Sequence, residues 1–188
     1  MPRGEKSLDL DLGEPDARRM PSPESAARRL REHAVLWSAR EVRAEEVVRV
    51  ACDALVVGLD SPALRILAAC TRAEADDEVR ELLTEVLGEL GLVFYPLDGE
   101  AAWEPAVRLL ARRFLAGETS PRDFTRRLHR NYGHEVDAAL PFVELDELYD
   151  TLDYTECTVA ELDDEVIAEA RRIAAHPNEP SGPTSTSG

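Results

Sequence analysis

Val79, Leu82, Leu83, Val86, Leu87 and Leu90 fall at i, i+3, i+4, i+7, i+8 and i+11. On a helix of 3.6 residues per turn these side chains line one side. Glu74, Glu78, Glu81 and Glu85, at i, i+4, i+7 and i+11, line the opposite side. Gly91 follows as a residue free to end the helix. One such stripe cannot bury itself, so it demands other helices to pack against.

Those partners are legible along most of the chain. Ser22-Pro23-Glu24 opens a helix carrying Ala27, Leu30, Ala34 and Trp37 on one face. Over 43–58, Val47, Val50, Ala51, Ala54 and Leu55 share a face, and Val48, Cys52 and Val56 extend it to a second side. A helix so broadly apolar belongs in the middle of a core, and Gly58 ends it. Ser61-Pro62 starts a short helix with Leu64, Leu67 and Ala68. Thr71-Arg72-Ala73-Glu74 reads as a capping box for the helix after it. A linker over 92–99 contains two turn signals, Tyr95-Pro96 and Asp98-Gly99.

Trp103, Ala106, Val107, Leu110, Ala111 and Phe114 make the next face, with Pro105 either in the first turn or at a kink. Ser120-Pro121 caps a helix through Phe124 and Leu128 to Gly133. Pro141 precedes Phe142, Leu145, Leu148, Tyr149 and Leu152, and Thr158 to Glu161 is a capping box before Leu162, Val166, Ala170 and Ile173. No strand alternation, βαβ pattern or fixed-period repeat interrupts the series. The expectation is an all-α domain over 22–175, an irregular bundle of about seven or eight helices. The stretch 1–21, rich in Pro, Gly, Asp and Arg, and the stretch 176–188, rich in Pro, Gly, Ser and Thr, are expected to be disordered tails. Within the first, Leu8-Asp9-Leu10-Asp11-Leu12 alternates as a strand-adding peptide would.

The 188 residues carry 38 acids against 22 bases, a net charge of -16. Nucleic acids and anionic membranes need cationic surface, so both are disfavoured as partners, while a basic protein is favoured. No apolar run reaches the roughly 18 residues of a membrane span, and the N-terminus lacks a signal-peptide core. A cytoplasmic location is expected. Cys52, Cys70 and Cys157 are too widely spaced for a zinc knuckle, and the first two lie in apolar segments that predict buried thiols.

The stretch Ala51-Cys52-Asp53-Ala54-Leu55-Val56-Val57-Gly58-Leu59-Asp60-Ser61-Pro62-Ala63-Leu64-Arg65-Ile66-Leu67-Ala68 resembles uncharacterised helical proteins of high-GC actinobacteria. A second resembling run is Leu109-Leu110-Ala111 through Phe114-Leu115-Ala116-Gly117 to Pro121. Lys6 is the only lysine, which fits a GC-rich genome. The resemblance implies a bacterial helical fold. Its matching positions are apolar, Gly or Pro, so it transfers no active site.

Charge is uneven: residues 135–188 hold 14 acids and 2 bases, whereas 99–134 hold 4 acids and 7 bases. The candidate partner-binding residues are therefore acidic. One set is Glu74, Glu78, Glu81 and Glu85. The other is Asp146, Glu147, Tyr149, Asp150, Asp153 and Tyr154, where rings supply area and carboxylates meet Lys or Arg. Solvation alone would also account for both. Carboxylate pairs at i, i+3 (Glu78 with Glu81, Glu147 with Asp150, Glu161 with Asp164) could hold magnesium, but this composition produces about eight such pairs by chance. His129 and His134 are five apart across Gly133 and His33 is alone, so no metal spacing is met. No metal, cofactor or catalytic residue is expected. Arg112, Arg113, Arg126 and Arg127 are the candidate phosphate grip of an alternative reading, pairing with acidic helix faces being the plainer use of them.

The favoured expectation is a non-enzymatic protein-interaction module docking on a basic partner, an immunity-like or inhibitory protein being its concrete form. A nucleotide- or phosphate-binding helical enzyme using magnesium is the first alternative, and a structural subunit of a larger bacterial assembly the second.

Overall fold

A computed structural model describes residues 22–176. The described residues form eight α-helices and no strand: α1 (Pro23–Ser38), α2 (Ala44–Val56), α3 (Pro62–Ala69), α4 (Ala75–Glu89), α5 (Trp103–Leu115), α6 (Pro121–Tyr132), α7 (Leu140–Thr151) and α8 (Val159–Ala175). Single 3-10 turns at Glu100–Ala102 and Leu152–Tyr154 lead into α5 and out of α7. The all-α expectation holds. The tails read over 1–21 and 176–188, apart from His176, and the alternation over 8–12 lie outside the described residues.

Helix starts follow local chemistry. Ser22, Ser61, Ser120 and Thr158 each accept a hydrogen bond from a backbone N–H of the first turn, satisfying a donor the helix leaves unpaired. Pro105 sits in the first turn of α5, where its missing N–H costs nothing. The Thr71 box behaves differently. The Glu74 carboxylate accepts from the Thr71 backbone N–H and hydroxyl, but the pair closes a turn and α4 begins only at Ala75.

The interior is divided into two apolar clusters. Trp37, Val47, Leu64, Val79, Leu83 and their neighbours from α1–α4 form one. Leu110, Phe124, Leu128, Phe142, Leu162 and their neighbours from α5–α8 form the other. α1 serves both: Leu30, Ala34 and Trp37 face the first, Val35 and Leu36 the second. This explains why every residue from His33 to Ser38 is buried. Phe124 stacks on Phe114 (centroids 4.5 Å apart) and meets Phe142 edge-on at 5.0 Å, tying α5, α6 and α7 together.

Polar contacts hold the 92–99 linker to α1. The buried Ser38 hydroxyl lies 2.9 Å from the Ala34 carbonyl and 2.5 Å from the Tyr95 carbonyl and shares its proton between them. The Asp98 N–H donates to the Ser38 carbonyl at 2.9 Å.

Three expectations about burial need correction. α2 is not apolar-packed on all sides, because Val56 is 87% exposed and only the Val47, Val50, Ala51 and Ala54 side, with Val48, is covered. In the first turns of α1 the buried alanine is Ala26 rather than Ala27. Cys52 and Cys70 are half-buried, with thiols donating to the carbonyls of Ala68 and Ile66. Burial, then the charges of Glu78 and Glu74, raise the Cys70 thiol above the usual range.

Candidate functional site

The structure scatters the acidic residues of 144–154 between internal and external roles. Tyr149 is buried on the core side of α7; its hydroxyl donates to the Asp163 carboxylate of α8 and the Arg122 guanidinium lies 5.6 Å from its ring centre. Burial and the Asp163 charge push its ionisation well above the usual phenol range. Asp150 pairs with Arg122 at 3.2 Å. Asp146 is bound inward by His129. Three of the six candidates thus already have partners within the chain, the Asp150–Arg122 pair being an exposed one. Glu147, Asp153 and Tyr154 remain exposed, with Asp153 and Tyr154 in the 3-10 turn beyond the end of α7.

Around them lies a mixed surface. Leu148, Tyr154 and Val159 are 43%, 90% and 57% exposed. Glu144, Asp153, Glu156 and Asp164 on the same stretch are exposed and form no ion pair among the described residues. On α4, Glu81 and Glu85 are exposed and Glu78 is half-buried; Glu74, just before the helix, is tied to Thr71. The Thr71 bonds hold the Glu74 carboxyl below its ordinary range.

The basic stretch does not converge. Arg112 reaches the carbonyls of Ala174 and His176 at 3.4 Å, capping the C-terminus of α8. Arg113 approaches His33 Nε2 at 3.4 Å. Arg127 is bound to Glu41 in the α1–α2 loop, whose side chain is 1% exposed and also accepts from Asn131 at 3.0 Å. The neighbouring Tyr132 hydroxyl is fully buried, lies outside hydrogen-bonding geometry, and has its ionisation pushed up by burial and by the Glu41 charge. Of the four candidate phosphate ligands, only Arg126 has no acceptor among the described residues. It lines an open cleft of about 470 Å³ with Arg40, Arg130 and Asn131.

A constellation missed from sequence lies beside Arg126. His129 Nδ1 sits 2.9 Å from the Asp146 carboxylate. Its ring centre is 6.1 Å from that of His134. His129, His134 and Glu147 each offer a ligand atom within 4.8 Å of the others. Five-residue spacing hid the pair because Gly133, at φ 50° and ψ -138°, ends α6 and turns the chain back. Only glycine adopts that backbone freely. Gly133 between two histidines was the available signal. Of the three carboxylate pairs read as magnesium candidates, the one at Glu147 and Asp150 is split: Asp150 turns to Arg122 and Glu147 to the histidines.

No helix among the described residues is long and apolar enough to cross a membrane. No family model, curated protein or solved structure matches this chain.

Proposed function

We propose that this chain is a non-enzymatic docking protein that binds a basic protein through its acidic helical surface. The observation that carries the reading is the corner where α7 runs into α8. Tyr154, 90% exposed, lies between exposed Leu148 and Val159 in a stretch of chain whose exposed carboxylates, Glu144, Asp153, Glu156 and Asp164, pair with no arginine among the described residues. A ring and two aliphatic side chains provide area to desolvate, and the surrounding charge selects and orients a cationic face. Glu81 and Glu85 on α4 extend the negative field. Neutralisation of a basic toxin or enzyme is the concrete form this surface suits.

The phosphate-binding alternative loses support from geometry, since Arg112, Arg113 and Arg127 are used within the fold.

The test is capture of partners from native lysate at low and high salt, by the wild type and by an Asp153→Lys/Glu156→Lys variant. A basic protein should be retained at low salt and released at high salt. The charge reversal should weaken its binding about tenfold or more, ~1.4 kcal/mol. A neutral partner, or retention indifferent to both salt and charge reversal, overturns the proposal.

A further inference from the structure

We infer that the junction of α6 and α7 is a binding site for a divalent transition-metal ion of the zinc class, with His129, His134 and Glu147 as its protein ligands. The inference goes beyond the docking reading and does not depend on it.

The donor set is one that borderline metals select. Two imidazoles and one carboxylate leave a position open for water, and magnesium or calcium would instead call for oxygen ligands throughout. The three side chains come from separate parts of the chain: the last turn of α6, the turn after Gly133, and the exposed face of α7. Their ligand atoms lie within 4.8 Å of one another.

Asp146 supplies the second, independent feature. Its carboxylate sits 2.9 Å from His129 Nδ1 and is itself approached by the Thr125 hydroxyl at 3.4 Å. An Nδ1–H that donates to a carboxylate fixes the tautomer in which Nε2 carries the lone pair. A carboxylate behind a metal-bound histidine orients its ring in the same way. The His129–Asp146 pair therefore leaves Nε2 as the nitrogen able to ligate.

The fit requires a modest closure. Ligands about 2.0 Å from a tetrahedral zinc stand about 3.3 Å apart, so atoms within 4.8 Å of one another need approach by no more than about 1.5 Å. His134 and Glu147 are exposed and free to change rotamer, whereas His129 is held by Asp146. Arg126 and Arg130 line the hollow beside His129 and Asp146. Their charge opposes a cation and the carboxylates of Asp146 and Glu147 offset it. This sets the affinity of the site below that of a buried structural zinc.

The experiment titrates zinc chloride into the full reduced chain by calorimetry. Cobalt absorption serves as a second readout of nitrogen ligation. One equivalent of zinc should bind, and a tenfold excess of magnesium should not displace it. His134→Ala and Glu147→Gln should each weaken zinc at least tenfold without changing helix content, since both side chains are exposed. Asp146→Asn, which leaves all three ligands in place, should weaken it about 10–100-fold. Cys157→Ser should leave it unchanged. Undiminished binding in the His134→Ala/Glu147→Gln double variant, or equal competition by magnesium, overturns the site. No partner protein enters the measurement, so its outcome is separate from that of the docking reading.

Discussion

His33 is placed where only its neutral form fits. Its Nδ1 faces the Arg29 carbonyl at 2.8 Å and must donate; its Nε2 faces the Arg113 guanidinium at 3.4 Å and must accept. Protonation would set an N–H against a guanidinium in a mostly buried position. Burial first, then the charges of Arg113 and Arg29, lower its pKa below the ordinary 6.5. The unfolded chain therefore takes up a proton at higher pH than the native one. The contribution to stability is complete above about 6.5 and is lost as pH falls through the native value. Urea denaturation from about pH 7.5 down to 5 should show a falling midpoint in the wild type and a shallower slope in His33→Gln. Equal slopes would show that the neutral ring contributes nothing. Nothing in the spacing around this lone histidine hints at that role, because both partners are supplied by geometry: one carbonyl a turn earlier and one arginine from α5.

Elements were more legible than single residues wherever their signals are local. Ser22, Ser61, Ser120 and Thr158 each mark a helix start that the structure reproduces, since an N-cap needs only its own next three residues. The α8 cap is the fullest case. The Thr158 hydroxyl accepts from the Glu161 N–H at 3.3 Å and the Glu161 carboxylate accepts from the Thr158 N–H at 2.8 Å. The Thr158 N–H and hydroxyl, both donating to it, hold the Glu161 carboxyl below its usual range. Thr158→Ala removes the side-chain half and should cost about 1 kcal/mol of stability by thermal denaturation, with α8 frayed at its start. A change within error would mean that packing alone holds that end. Side-chain exposure was the less legible part. Val56 and Tyr149 have the same helical periodicity as their neighbours, yet one faces solvent and the other the core. Period alone says that a stripe exists and leaves its edges undefined. The Asp146, Tyr149 and Asp150 part of the acidic face dissolved for this reason: arginine, histidine and a second helix reach in from elsewhere.

At the scale of the whole molecule, the eight helices were foreseeable and their division into two clusters was not. Each stripe announces that it is buried without naming its partner helix. The contact pattern settles that: α2, α3 and α4 pack among themselves, α5 to α8 among themselves, and α1 touches both α2 and α5. Glu41 with Arg127, Arg113 with His33, and Ser38 with the 92–99 linker supplement α1 across the divide. Such a joint is more polar than either interior, so the two clusters should differ in local stability. Leu162 is 1% exposed in the α5–α8 cluster, and Leu162→Ala should destabilise it by about 3–5 kcal/mol. Amide hydrogen exchange should then accelerate through α5–α8, while the slowest amides of α2 and α4, around Val47 and Leu83, keep most of their protection. Equal acceleration in both groups would mean that α1 couples them into one cooperative unit, since a shared helix with six consecutive buried residues can transmit the loss as readily as it can isolate it.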